Sequence, residues 1–308
     1  MPKLPASAPL ELDPLAPVSP ASSGVDAAVA AWSLGLAVAV YALFALHLLR
    51  SGYLRRAAGR SSVLLALAIG LTALWAGLAL AHQLTGDHAW GVLAPIADVG
   101  RYAAWGAFLL AVLRANADHR LPAGASWLAP AAIVVFASAL ATQILAALGA
   151  GVKPDSRIVL LGALAMPVLA MVLVEQLFRN VQEDARWNAK PLCLGLAGIF
   201  VFDLYVYSNG VMFGRIDSDA ASIRGFVQAL MAPLLLVSMR RRRDWISRLR
   251  ISRQAAFHSA PLLVSGLYLV FISSVGYYVR YFGGDWGRAL QLALVFAALV
   301  VLALLALS

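Results

Sequence analysis

Residues 27–49 read AAVAAWSLGLAVAVYALFALHLL, a run without a single Asp, Glu, Lys or Arg. About twenty apolar residues wound as a helix span the hydrocarbon core of a bilayer, and the helix satisfies its own backbone polar groups there. Similar runs recur at 63–84, 92–113, 127–148, 158–178, 191–208, 223–239, 257–279 and 289–307. The composition agrees: 62% of the 308 residues are hydrophobic and 13% are charged, about half the charged fraction of a soluble domain. So few charges cannot cover a water-facing surface of this size. The sequence therefore predicts an all-α, polytopic membrane bundle of nine transmembrane helices, with residues 27–308 forming one membrane domain.

Residues 1–26 hold six of the fourteen prolines together with Glu11, Asp13 and Asp26, a composition that predicts a disordered tail rather than a signal peptide. With that tail outside, sixteen of the 24 basic residues fall in inner loops and eight in outer ones. Excess Lys and Arg in cytoplasmic loops is the bias expected of a polytopic helical membrane protein. Omitting one span would reverse every later loop, so nine spans with a cytoplasmic C-terminus fit the charges. The third and seventh spans carry charge at their starts, Asp98 and Arg101 in one and Arg224 in the other. A partly interfacial position for either one is the alternative to a full span.

Cys193 is the single cysteine, which excludes an internal disulfide and a cysteine-based metal cluster. The net charge of +9 follows from membrane topology and does not argue for nucleic acid as a partner. No Walker loop, His-Glu-x-x-His helix or Gly-x-Ser-x-Gly elbow occurs. No catalytic residue and no metal site is expected.

Ionisable groups inside spans are costly, and function or packing must justify them. Asp203 stands thirteen residues after Lys190 and twelve before Arg215, roughly 18–20 Å from either. That depth makes it the leading candidate for sensing, with an interhelical hydrogen bond to Gln228 or Gln143 as the packing alternative. Glu175 precedes Arg179 by four residues and is expected to pair with it. Asp98 and Arg101, three apart, share a face and can neutralise one another. His82, near the outer end of the second span, is a candidate pH-responsive or packing group. Arg240, Arg241, Arg242, Arg243, Arg248, Arg250 and Arg253 surround Trp245, Ile246, Leu249 and Ile251. That segment is expected to lie on anionic headgroups of the lipid bilayer, gaining about 1 kcal/mol per basic residue.

From the fifth span onward, several blocks carry a family resemblance. They are Glu175-Gln176-Leu177-Phe178-Arg179-Asn180, Lys190-Pro191-Leu192-Cys193-Leu194-Gly195, Phe202-Asp203-Leu204-Tyr205, Arg224-Gly225-Phe226, Phe257-His258-Ser259, and the stretch from Gly276 to Arg288. In these the chain resembles the membrane region of the sensor histidine kinases of the PEP-CTERM/exosortase system, the PrsK family. The resemblance implies a signal-input region feeding a cytoplasmic kinase core, a response regulator as partner, a homodimer, and control of exopolysaccharide production. The chain departs from that plan. None of His47, His82, His88, His119 or His258 is followed by an acidic residue, and no Asp-x-Gly-x-Gly loop occurs. The kinase core is therefore expected to be missing, and with it the ATP and Mg cofactors of such a core.

The expected function is that of a membrane sensor region transmitting an envelope signal. A small-solute transporter or channel with Asp203 on its path is the first alternative. A non-catalytic membrane scaffold for exopolysaccharide assembly, docking a partner through the arginine-rich segment, is the second.

Overall fold

In a computed structural model, the described residues are 20–51, 60–115, 126–154, 156–181 and 183–240. They form seven α-helices: α1 Pro20–Arg50, α2 Arg60–Thr85, α3 His88–Ala115, α4 Leu128–Ala147, α5 Arg157–Asn180, α6 Glu183–Phe213 and α7 Ser218–Arg240. All seven are long and apolar enough to cross a membrane, and no strand occurs among the described residues. The predicted spans 257–279 and 289–307, and the arginine-rich segment beyond Arg240, lie outside the described residues.

The structure departs most from the sequence expectation at four helices, and most of all at α6, which runs over Glu183–Phe213 against the predicted 191–208. Helix α1 starts at Pro20, so residues 20–26 extend the first helix rather than the tail. Proline is tolerated in a first turn, where its missing N–H would have no helical partner. Helices α3 and α7 are continuous over 28 and 23 residues and are long and apolar enough to cross a membrane, charged residues included. Their charged residues are paired inside the bundle, which removes the penalty that made them look marginal.

Consecutive helices alternate in direction and close a ring: α1 packs on α2, α2 on α3, α3 on α5, α5 on α6, α6 on α7, and α7 back on α1. Helix α4 lies outside, against α3 and α5. Its apolar residues Ile133 and Val134 are exposed, as a lipid-facing surface allows. Helices α3 and α6 are the most buried, at 72% and 67% of their apolar windows against 17% for α4, so these two carry the interior. Trp105, Phe108, Leu109, Leu113 and Phe200 fill it.

Two short connections set the depth of the site. Gly86, at φ +67°, ends α2 in the left-handed conformation that glycine adopts without strain, and the Asp87 carboxylate accepts the Ala89 N–H at 3.0 Å to cap α3. Gly214, at φ +71°, ends α6, and the Asp217 carboxylate caps α7 through the Asp219 N–H, also at 3.0 Å. Glycines then bring helices together. Gly195 and Gly198 of α6 face Met231 of α7, and Gly225 of α7 lies directly on the Ser33 backbone of α1. Ser33 Oγ also accepts the Phe226 N–H at 2.9 Å. Close approach at small residues is how helices pack where lipid removes the hydrophobic drive.

Candidate functional site

Helical spacing on α3 puts Asp98, Arg101, Tyr102 and Trp105 on one inward face, and spacing on α6 does the same for Asp203 and Tyr207. Arg224 enters from the second turn of α7. These groups close a four-membered ring of alternating charge. Arg101 donates from Nε to Asp98 Oδ1 and from Nη2 to Asp203 Oδ2, the latter at 2.7 Å. Arg224 donates from Nε to Asp203 Oδ1 at 2.6 Å and from Nη2 to Asp98 Oδ2 at 2.8 Å. Each guanidinium thus bridges both carboxylates.

The tyrosines complete the arrangement. Tyr102 donates its hydroxyl to Asp203 at 2.5 Å and Tyr207 donates to Asp98 at 2.6 Å. Both guanidiniums also lie against the Trp75 ring of α2, at 4.4 Å for Arg101 and 4.6 Å for Arg224. Two cations against two anions sum to zero, which is what makes burial of all four tolerable. Each hydrogen bond to a charged group is worth about 1.5–3 kcal/mol. Tyr207→Phe, which removes only the hydroxyl, is therefore expected to cost about 1.5–3 kcal/mol in an unfolding titration. A loss below about 0.5 kcal/mol would show that Asp98 does not depend on it. Arg101 Nη1 and Gln228 Oε1 are buried without a hydrogen-bond partner among the described residues.

Above the network opens a cavity of about 780 Å³ lined by residues from all seven helices. The lining comes from the start of α1, α3, α5 and α7 and the end of α2, α4 and α6. The cavity is therefore an axial vestibule at one end of the bundle. His82, Gln83, Gln143, Ser218 and Ser222 contribute polar groups, the walls are mostly apolar, and Trp75, Asp98, Tyr207 and Arg224 form the floor. Asp98 is ten residues into α3, so the floor lies about 15 Å deep. Beneath it the interior is packed by Tyr102, Trp105, Phe108 and Phe200, each at most 1% exposed. A mostly apolar pocket with a few convergent polar groups is the usual form of a small-molecule site.

The residues singled out from the sequence are dispersed by the fold. Asp203 sits in the network, fully buried, and its partners are Arg101, Arg224 and Tyr102 rather than the expected Gln228 or Gln143. Gln228 lies one turn beyond Arg224, buried, with its backbone carbonyl accepting from Tyr41 at 3.3 Å. His82 lines the vestibule and places Nδ1 3.0 Å from the Asp87 carbonyl. Glu175 pairs with Arg179 at 2.8 Å on partly exposed α5 surface, apart from the network. Arg240 ends α7, while residues 241–253 lie outside the described residues. Asp98 and Arg101 are buried inside the bundle, 4% and 0% exposed, where Arg224 and Asp203 pair with them.

Sequence reasoning missed Arg224, Trp75, Tyr102 and Tyr207. One signal was present for Arg224. Asp203 lies ten residues before the end of α6 and Arg224 six after the start of α7, across a short connection, so their depths match within about one turn. Among the described residues, no three of His, Cys, Asp and Glu converge as metal ligands. Compared with known proteins, the chain matches no family model, no curated protein and no solved structure.

Proposed function

We propose that this chain is the membrane signal-input region of a sensor histidine kinase of the PrsK type, with nine spans, its N-terminus outside and its C-terminus in the cytoplasm of a bacterial inner membrane. The kinase core, with its ATP and Mg, acts from the cytoplasmic side, passes phosphate to a response regulator, and works within a homodimer. The observation that carries this reading is the vestibule whose floor is the charge network. A molecule entering from the outer face meets Asp98 and Arg224 directly, and through them the joint between α3, α6 and α7. Two arrangements of that joint, biased by a ligand that binds one better, suffice to transmit a signal. Helix α7 leads from the floor to Arg240 and the arginine-rich segment, which the same reading places on the cytoplasmic leaflet.

The burial of Arg101 and Arg224 supports the orientation as well. Removed from the loop tally, they leave six basic residues outside against sixteen inside. The packed aromatic layer beneath the floor favours a receptor over a conducting path. A vestibule-blocking substitution tests this reading. Ala221 lines the vestibule and is exposed, so Ala221→Trp is expected to leave protein abundance unchanged and to hold exopolysaccharide-gene output at one level whatever the envelope state. Normal regulation at normal abundance would remove the vestibule from signalling. Solute accumulation in proteoliposomes carrying the parent chain would replace the sensor with a transporter.

A further inference from the structure

The vestibule floor retains hydrogen-bonding capacity of both kinds. An arginine has five N–H donors, and Arg224 commits Nε to Asp203 and Nη2 to Asp98. An ionised carboxylate offers about four lone-pair sites, and Asp98 accepts from Arg101, Arg224 and Tyr207. Both residues reach the vestibule, with 11% of the Arg224 side chain and 6% of the Asp98 side chain exposed. Spare donors and a spare acceptor therefore lie side by side.

The balance of charge narrows the ligand further. With two guanidiniums already matched to two carboxylates, a ligand of either net charge leaves one charge uncompensated against floor side chains that are themselves largely buried. A wholly apolar ligand covers the spare donors of Arg224 without replacing the water that served them. A head group with one acceptor and one donor, and no net charge, avoids both penalties. The walls around it, including Leu34, Ala94, Ala163, Met166 and Val206, suit an apolar body, and about 780 Å³ is room for a drug-sized molecule.

We propose that the vestibule binds a net-neutral amphipathic small molecule, a zwitterion or an amide, whose head group sets an acceptor on Arg224 and a donor on Asp98. This rests on the vestibule being the ligand site of the signal-input reading, and supplies the chemistry that reading lacks.

Four probes that share one aromatic body separate the cases: phenylalanine as zwitterion, 3-phenylpropionamide as neutral amide, 3-phenylpropionate as anion and phenethylamine as cation. Each is titrated by ligand-observed NMR against the full chain in phosphatidylcholine nanodiscs. The zwitterion and the amide are expected to bind at least about tenfold more tightly than the anion and the cation, because only the latter two disturb the charge balance. Ala221→Trp is expected to abolish saturable binding of both favoured probes. Equal binding of all four, tighter binding of either charged probe, or no saturable binding of any probe overturns the proposal. Preference for a charged probe leaves the vestibule as a signal-input site with a different ligand. Solute accumulation in proteoliposomes overturns signal input and leaves the ligand class standing.

Discussion

Asp203→Asn is expected to lower the unfolding free energy by about 3–5 kcal/mol, since it leaves two buried guanidiniums facing one carboxylate. All three partners of Asp203 point the same way: Arg101 at 2.7 Å and Arg224 at 2.6 Å each lose a charged acceptor, and Tyr102 loses its 2.5 Å contact to a carboxylate. The variant retains the shape of the side chain, so the effect isolates charge. Detergent-unfolding titrations of purified parent and variant read it. The double variant Asp203→Asn with Arg101→Gln restores zero net charge and is expected to recover part of the loss, because removing a whole buried pair is far less damaging than removing one member. A parent-like midpoint for Asp203→Asn would show that the ring of charges does not hold the bundle. A double variant weaker than the sum of its singles would count against charge balance as the reason.

Gly225→Ala is expected to destabilise by about 3 kcal/mol or more, at or above the upper end of overpacking costs. A Cβ there would lie well under 3.0 Å from the Ser33 backbone of α1, and backbone cannot swing aside as a side chain can. The contact closes the ring between its last and first helices and sits one residue from Arg224. Gly198→Ala is the matched control. Its added Cβ would meet Met231 Sδ at 2.8 Å, but methionine is flexible and fills irregular gaps, so a cost below about 1.5 kcal/mol is expected. Equal costs at the two glycines would mean that the α1–α7 approach is looser than the structure shows.

How much of the site was legible depended on whether a residue's neighbours in space are also its neighbours along a helix. Asp203 is conspicuous in the sequence because a lone carboxylate interrupts a long apolar run, where an ionisable group is costly. The Glu175–Arg179 pair was readable from a spacing of four. For Asp98 and Arg101 the sequence shows only a pair on one helical face, because their other partners lie 126 and 102 residues away. Arg224 looks like a span boundary in the sequence because a charge interrupts the apolar run, whereas α7 begins six residues earlier at Ser218. Trp75, Tyr102 and Tyr207 carry no mark in the sequence that separates an aromatic stacked on a guanidinium from one in an apolar core.

The amino-acid sequence alone determined that this protein is helical and built for hydrocarbon. A chain with 13% charged residues and repeated apolar runs leaves helices that bond their own backbone as its ready way to exist there. Tertiary structure alone decided that four charges drawn from three helices form one neutral ring beneath a vestibule. Periodicity sets which residues share a face of one helix, but the rotation and neighbours of each helix follow from packing. Glycine contacts hold α7 close to α1 and α6, and in that packing Arg224 reaches Asp98 and Asp203.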